Sequence, residues 1–583
     1  MTMTVDKILV LDADGRAGVA CLQSLGAAGH EVHVGVRKLG SLTERSRWCL
    51  QLHVQPAAEP VATGAAWLVE LDQRHDFALV VPTTEASLRW LRALPESHPV
   101  RRKAVLPGDA ALDAALDKSA TSAIARELGL PLPRARELAQ CATGAPPADL
   151  PPPRSYPLVL KPARSKVVID GRLVSMAVAI VHDAEARRVT LSTWLPHTPV
   201  QEQEWVPGRG VGVEVLYENG RMAWHFVHER LHEWPLTGGA STLRRAGGPE
   251  PELVEMTRRL LDRLQWHGVA MVEWRRDRHG AVHLMEINPR LWGSLPLTIA
   301  AGVDMPRGLL ALARGESAGS APAWREGLTA RNLTEDLQWF IGNLRADRGN
   351  PLLLTESPWR AAFGWLRVFT GREVWDAWTI KDPAVARAEF ATLVSKRLGS
   401  LAKRIERGAE IARAKRRHQE LLRGPAARSV LFLCLGNLCR SPFAATAARA
   451  SLGEVQVDSA GFLQHDGRPS PAHVVSMARE LGIDLTRSRA KRVSAAQVAA
   501  ADLVVCMDVS HLLRMRQEFP EALHKTTLLG LFDPPGAAEI ADPYDMGPDA
   551  TRAVLQRILH ALDGLGASNR ARALPVVTPA TTP

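Results

Sequence analysis

Ser429-Val430-Leu431-Phe432-Leu433-Cys434-Leu435-Gly436-Asn437-Leu438-Cys439-Arg440-Ser441-Pro442 runs from an unbroken apolar stretch into a short turn that ends at a proline. The apolar run reads as a buried strand, and Leu435–Ser441 reads as a tight loop leading into a helix. Such a loop aims several backbone N–H groups at one point, where the helix N-terminus adds positive potential. An oxyanion fits that point. Cys434 opens the loop as a nucleophile, and the planar fork of Arg440 can grip two phosphoryl oxygens. A core cysteine ahead of an ordinary turn does not account for the spacing of Cys434, Arg440 and Ser441. The chemistry indicated is phosphate ester hydrolysis.

The stretch Cys434–Pro442 resembles the signature loop of the low-molecular-weight protein tyrosine phosphatases, and the likeness continues beyond it. Val457-Asp458-Ser459-Ala460-Gly461, Leu481-Gly482-Ile483-Asp484, Ser488-Arg489-Ala490, Ala501–Met507 and Ile540-Ala541-Asp542-Pro543-Tyr544 occur in the family's order, over roughly residues 428–566. The resemblance implies a doubly wound parallel-sheet domain and a two-step mechanism. Cys434 attacks phosphorus, Asp542 protonates the leaving oxygen, and Asp542 then acts as base while the phosphocysteine is hydrolysed. Arg440 and the loop amides would hold the equatorial oxygens, Ser441 would stabilise the thiolate, and Asn437 would fix the loop. Cys439, five residues after Cys434, is read equally as a reversible disulfide partner or as a packing residue. Leu438 is expected at the pocket wall, which favours an aryl phosphate over a phosphoguanidinium. Many relatives carry a tryptophan after the Ser-Ala-Gly turn. Here Phe462-Leu463-Gln464-His465 stands there, leaving Tyr544 and Phe462 as candidate walls. The short loop looks more like bacterial enzymes associated with capsule and exopolysaccharide export.

At 583 residues the chain has room for three or four domains, so a larger region precedes this one. Its composition, 46% hydrophobic and 23% charged, is that of a soluble protein, and no apolar run is long enough to span a bilayer. The start passes directly into Lys7-Ile8-Leu9-Val10-Leu11, a strand and not a secretory signal. Six cysteines in so long a chain do not make a disulfide framework, and a thiolate catalyst needs a reducing compartment, so a cytoplasmic location is expected. The net charge of +10 comes without a nucleic-acid motif and is read as serving anionic substrates and one basic segment.

The first hundred residues alternate strand-like and helix-like runs, as in an open parallel α/β domain. Lys7–Leu11, Glu31–Val36 and Phe77–Val81 are the expected strands. The turn Asp14-Gly15-Arg16-Ala17-Gly18 has an incomplete dinucleotide glycine pattern and is read as structural. Pro82-Thr83-Thr84-Glu85 sits at a strand's carboxyl end, where such folds place ligand groups.

A second coherent signal begins at Asp117-Lys118-Ser119. Lys118, and Lys161 in Tyr156–Pro162, can bind nucleotide phosphates from separate elements. Pro199–Gly208 carries amides, carboxylates and Trp205 in an extended segment suited to an adenine edge. Met271-Val272-Glu273-Trp274 and His283-Leu284-Met285-Glu286-Ile287-Asn288-Pro289-Arg290 read as paired strands around the turn Asp277–Gly280. Glu286 and Asn288 alternate with Ile287 and share a face, with Glu273 opposite them, making an all-oxygen magnesium or manganese site. Facing carboxylates would otherwise repel or take up protons.

These pieces resemble the ATP-grasp superfamily, especially its carboxylate–amine ligases, over about residues 1–310. The resemblance implies three lobes clasping ATP: Lys118 and Lys161 on phosphate, Gln203 with the Glu204–Val206 backbone on adenine, Glu273, Glu286 and Asn288 on the metal, and Arg290 on the reacting phosphoryl group. The lid Pro162-Ala163-Arg164-Ser165-Lys166 lacks the usual glycines, so Ser165 or Lys166 is expected to contribute. His228-Glu229-Arg230 and Thr237–Ser241 are read as a loop offering Arg230 and amides to a carboxylate or acyl phosphate, an ion-pair role for Arg230 being equally open. The implied reaction is carboxylate attack on the γ-phosphate of ATP, then capture of the acyl phosphate by an amine.

The organisation expected is an N-terminal α/β domain (1–115), an ATP-grasp domain (116–310), a helical Trp-rich and basic linker (311–427), a phosphatase domain (428–566) and a disordered tail (567–583). The linker holds Trp339, Trp359, Trp365, Trp375 and Trp378. Pro358–Phe369 is read as an amphipathic helix that packs on the ligase body or lies on an anionic membrane surface. The chain is therefore expected to be a bifunctional enzyme with small carboxylate and amine substrates and a phosphotyrosine protein substrate, its oligomeric state left open. An ATP-grasp kinase coupled to the phosphatase, or a non-catalytic nucleotide sensor regulating it, are the alternatives.

Overall fold

The computed structural model describes residues 5–142, 155–164, 166–169, 172–350, 352–464, 466–533, 536–544 and 546–573. Ser165, the proline-rich insertion Ala145–Pro153 and the segment Leu574–Pro583 lie outside the described residues. Two compact units divide the chain, Met1–Val394 and Ser395–Pro583.

The first unit holds three main sheets. Strands Lys7–Leu11, Glu31–Val36, Cys49–Val54 and Leu79–Pro82 form a parallel sheet in which the first strand lies between the second and the fourth. Ile8 through Leu11 are fully buried, as a central strand covered on both faces requires. The strand Cys49–Val54 adds to the three expected ones; its alternating polar residues leave it half exposed at the sheet edge and hide it in the sequence. An antiparallel sheet comes next, in the order Ala135–Leu138, Val200–Glu204, Leu158–Pro162, Ala179–Val181. The largest sheet has seven strands, ordered Val282–Asn288, Gly268–Asp277, Gly208–Glu218, Arg221–Trp234, Ala240–Ala246, Thr329–Arg331 and Glu373–Trp375.

The last two of those strands correct the reading of 311–427 as a helical linker. Thr329–Arg331 pairs antiparallel with Ala240–Ala246, and Glu373–Trp375 pairs parallel with Thr329–Arg331, so this stretch completes the sheet. Buried Arg331 fixes it, with Nε 2.7 Å from Glu373 and a further ion pair to Asp336. Trp339 stacks on His232 with ring centroids 3.3 Å apart. The amphipathic segment is a helix only over Pro358–Gly364, continued by a 3-10 turn to Thr370. Ala361 packs inward with Trp339 and Leu236, whereas Trp359, Phe363, Leu366 and Phe369 are exposed.

In the second unit four parallel strands run in the order Gln456–Gly461, Ser429–Cys434, Leu503–Cys506, Thr526–Leu528. Alternation in the central strand builds two cores. Val430, Phe432 and Cys434 join Phe443, Val505, Leu555 and Ile558 on one face, while Leu431 and Leu433 join Val504, Leu512 and Met515 on the other. The helix Pro383–Arg423 contributes Ile411 and Ala414 to the second core and Leu421 to the first. Its Glu410 is fully buried and paired with Arg413, Arg417 and Arg516. The disordered tail expected from 567 is also corrected: the helix that begins at Pro548 continues to Ala573. Asn569 on it accepts from the Ala427 N–H at 2.8 Å and donates to the Ala427 carbonyl at 3.0 Å, which ties the helix to the start of the central strand.

Among the described residues no helix is long and apolar enough to cross a membrane.

Candidate active sites

In the first unit, register carries Glu273 opposite Glu286 and Met271 opposite Asn288. The Asn288 amide donates to Glu273 at 3.1 Å and to Glu286 at 3.3 Å, so three oxygen-bearing side chains meet at one place. Cationic side chains surround them. Arg230 reaches Glu273 at 2.6 Å and Lys118 lies 3.5 Å from Glu286. Burial opposes the charge on Glu286, but Lys118, Lys161 and Arg230 outweigh it and hold its pKa below the usual carboxylate range. Partial burial also works against the charge of Arg230, but Glu273 with Glu233 holds it firmly. The repulsion expected between facing carboxylates is thus relieved by protein cations. The donor set fits a hard cation. Two carboxylates stand beside the Asn288 side-chain amide, and a half-turn of that amide about its terminal bond would bring a third oxygen toward them.

A cleft of about 390 Å³ opens here, lined by Lys118, Lys161, Gln203, Val206, Glu273 and Glu286, with Trp205, Arg230 and the loop Thr237–Ala240 closing its sides. Gly238, at φ 112°, gives that loop a turn few other residues adopt. Lys161 lies in the antiparallel sheet across from Gln201, its ammonium 3.7 Å from the Met285 sulfur. Burial, with Lys118 adding to it, pushes the Lys161 pKa down to about 8 against the pull of Glu286. Glu204 stands apart. Its carboxylate accepts from the Arg134 N–H at 3.0 Å and does not line the cleft. The Val206 carbonyl accepts from Arg275 Nε at 2.7 Å, and Arg275 also faces Glu233 at 3.7 Å. Neither Arg275 nor Glu233 stands out in the sequence. The register Gly210↔Arg275 brings them in, a long-range relation no local motif displays.

Arg290 lines a neighbouring cavity of about 430 Å³, with Thr83, Thr84, Glu85, Arg37, Lys118, Lys166, Glu286 and Asn288. Lys118 and Glu286 therefore border both spaces. The segment Pro82–Glu85 does face a cleft. Thr83 donates to the Leu11 carbonyl at 2.8 Å, and Arg37 Nε is 3.2 Å from Asp12. Gly18, in the helix Arg16–Ala27 that follows the first strand, leaves no room for a side chain, since a Cβ would stand 2.4 Å from Ala13 Cα.

In the second unit Cys434 ends the central strand, and the Ser441 hydroxyl donates to its sulfur at 3.0 Å. Asn437 has φ 52°, and its amide ties the turn at three points. It donates to Ser441 at 2.9 Å and to Ser459 at 3.0 Å, and accepts from the Lys491 N–H at 3.0 Å. Gly461 backs the loop so closely that a Cβ would lie 2.6 Å from the Asn437 nitrogen. The Arg440 guanidinium is buried and spans Asp508 at 2.7 Å, the Ile540 carbonyl at 3.0 Å and Asp542 at 2.6 Å. Its Nε is a buried donor with no partner among the described residues, as a site built to receive an oxyanion would leave it. Asp542 is partly exposed beside a cleft of about 810 Å³ that Arg440, Asp508, Leu435 and Ile540 also line.

Asp508 is absent from the sequence reading, although it comes shortly after the strand Leu503–Cys506 and caps the next helix through the His511 N–H. Burial works against its charge, but His511, Ser510 and Arg440 keep its pKa low; burial likewise holds His511 down to about 4. Two expected walls are corrected. Phe462 is buried in the core, stacked on His511 with centroids 5.9 Å apart, and Leu438 is buried among Phe443 and Leu529. Neither lines the cleft beside Arg440 and Asp542. Tyr544 is exposed. Cys434 and Cys439 are both buried thiols.

A cysteine-headed phosphate loop on a parallel sheet, and a separate clasp of sheets around facing carboxylates and lysines, define a two-site protein of the phosphatase and ATP-grasp classes. The model of the low molecular weight phosphotyrosine protein phosphatases matches residues 429–572, and one described as ATP-grasp in the biosynthetic pathway with Ter operon matches residues 202–336. The probable low molecular weight protein-tyrosine-phosphatase EpsP of Ralstonia nicotianae is 32% identical over 136 residues, 23% of this chain and 92% of that protein. A low molecular weight phosphotyrosine protein phosphatase of Sus scrofa is 33% identical, over 22% and 88% of the two chains. The structure of N5-carboxyaminoimidazole synthetase from Staphylococcus aureus aligns with 59% of this chain and 87% of its own, at 14% identity and a TM-score of 0.44. The chain belongs to the low molecular weight phosphotyrosine protein phosphatase family through its second unit, and carries an ATP-grasp domain in its first.

Proposed function

We propose that the protein is a bifunctional cytoplasmic enzyme, an ATP-dependent carboxylate–amine ligase joined to a phosphatase for phosphotyrosine or another aryl phosphate monoester. The observation that carries the ligase reading is the meeting of Lys118, Lys161, Gln203, Glu273 and Glu286 on one cleft from elements far apart in the chain. Lys118 and Lys161 would neutralise nucleotide phosphates, and Gln203 with the Val206 backbone would meet the base. Glu273, Glu286 and Asn288 would hold magnesium or manganese, which when bound supplies charge neutralisation during phosphoryl transfer. Arg290 and Arg37, in the adjoining cavity, would orient an anionic acceptor whose carboxylate attacks the γ-phosphate, the resulting acyl phosphate being captured by an amine.

In the phosphatase, Cys434 would attack phosphorus while Asp542 protonates the departing oxygen. Arg440 would exchange its carboxylate partners for phosphoryl oxygens. Its unpartnered Nε supports this reading. Ser441 would hold the thiolate through the same hydrogen bond it now makes to the sulfur. The exposed Trp359, Phe363 and Phe369 support peripheral contact with an anionic membrane surface as part of the same proposal.

The test is incubation of the chain with ATP, magnesium and pooled metabolites, then mass spectrometry, alongside an aryl phosphate assay. Condensation products that accumulate with ADP support the ligase. Free phosphorylated substrate would replace it with a kinase, and nucleotide binding without ADP with a sensor.

A further inference from the structure

Away from both clefts, three histidines converge on the N-terminal parallel sheet. His33 comes from the strand Glu31–Val36, His53 from the edge strand Cys49–Val54, and His75 is the last residue of the helix Val61–His75. In the register Gly35 faces His53 and Gln51 faces His33, so the first two histidines are diagonal neighbours on one sheet face. One nitrogen from each of the three lies within 4.8 Å of the others. His33 Nδ1 and His53 Nε2 are 3.0 Å apart, and the His75 ring stands 4.6 Å from His33 and 5.4 Å from His53, centroid to centroid.

We propose that His33, His53 and His75 form a binding site for a divalent transition-metal ion of the zinc class, independent of the ATP-grasp and phosphatase chemistry. Three imidazoles on three separate elements are a donor set that suits zinc, copper or nickel and leaves a fourth position for water or a further ligand. The distances are compatible. Ligand nitrogens about 2.0–2.1 Å from a tetrahedral ion stand roughly 3.4 Å apart. The pair at 3.0 Å needs only a small opening, and the third nitrogen closes by a change of rotamer in the half-buried His53 and His75.

Electrostatics favour the same occupant. His75 closes a helix whose terminal carbonyls place partial negative charge beside the cluster, a position that stabilises a cation. A hydrogen bond between His33 and His53 satisfies two nitrogens without metal, and it is the arrangement the site must be tested against.

The test uses the full chain without an affinity tag, stripped with chelator and held in excess magnesium to occupy the oxygen site. Zinc is titrated in competition with a chromogenic chelator, for the natural protein and for H53Q/H75Q. His53 and His75 are half-buried, so this variant is expected to fold, and unchanged melting of the metal-free protein checks it. Because Cys434 and Cys439 can also take zinc, C434S/C439S is titrated in parallel. The expected result is one equivalent bound in the natural protein and in C434S/C439S. Binding in H53Q/H75Q should be weakened beyond the roughly 10–100-fold that changes outside the ligand shell cause. Equal affinity in H53Q/H75Q, no stoichiometric zinc in the natural protein, or loss of binding only in C434S/C439S would overturn the proposal and leave a hydrogen-bonded histidine trio.

Discussion

The two active sites hold their charges in contrasting ways. In the first unit the carboxylates Glu273 and Glu286 are balanced by Arg230, Lys118 and Lys161, residues from five different elements in two sheets and one helix. In the second, the single stretch Cys434–Ser441 supplies Cys434, Asn437, Arg440 and Ser441, while Asp508, Asp542 and the Ile540 carbonyl on Arg440, and Ser459 and Lys491 on Asn437, come from elsewhere. The first site is a negotiated charge balance, sensitive to any member. The second is a local mould, with its nucleophile, its guanidinium and its turn-fixing amide on one short stretch of chain.

The comparison is broken most severely at the nucleophile. Cys434→Ser should lower aryl phosphate turnover by at least about 10⁴-fold, the scale on which loss of a covalent nucleophile acts, while ADP formation by the first unit continues. Retained turnover would remove Cys434 from the mechanism. Glu286→Ala should abolish ADP formation and leave the aryl phosphate assay unchanged; a product yield equal to the natural protein's would dissociate this carboxylate from the ligase. Asp542→Ala is expected to slow hydrolysis by about 10²–10⁴-fold, the usual worth of a general acid, with a smaller deficit for substrates whose leaving group needs no proton. Equal deficits across leaving groups would argue for a positioning role through Arg440.

Two smaller effects sharpen the contrast. Glu410→Ala should lower the stability of the second unit by about 3 kcal/mol, the low end for a broken buried ion pair because Arg413 and Arg516 reach solvent, read as a shift in its thermal melting. Lys161, with its pKa lowered to about 8, is charged below that pH and loses its proton as pH rises through it. Affinity for a non-hydrolysable ATP analogue should therefore fall above about pH 8 by up to tenfold per unit, and Lys161→Met should flatten the profile. A flat profile in the natural protein would mean Lys161 does not meet the phosphates.

Legibility in the sequence divides along the same line. The strand, loop and helix around Cys434 are legible because the residues that act together are adjacent, and the unbroken apolar run marks the strand as central. The paired strands bearing Glu273, Glu286 and Asn288 are legible because a short turn joins them. Arg275 and Glu233 are not, since only the pairing of Gly208–Glu218 with its two neighbours brings them to the cleft. Phe462 and Leu438 mislead for a related reason: an aromatic or branched side chain beside a loop looks alike whether it faces a pocket or the core. The strands at 329–331 and 373–375 escape notice because three-residue strands carry almost no periodicity, and the surrounding tryptophans mimic a helical stripe.

The buried Glu410 and its arginines bear on where the phosphatase starts. Homology to the family begins at Ser429, yet Ile411, Ala414, His418 and Leu421 already sit inside that unit, with His418 3.1 Å from the Thr527 hydroxyl. Severing the chain at the boundary of kinship would strip a supporting wall from a domain that otherwise looks whole. An excised phosphatase cut near Ser395 keeps that wall, and the portion of a protein that descends from an ancestor need not coincide with the portion that can stand by itself.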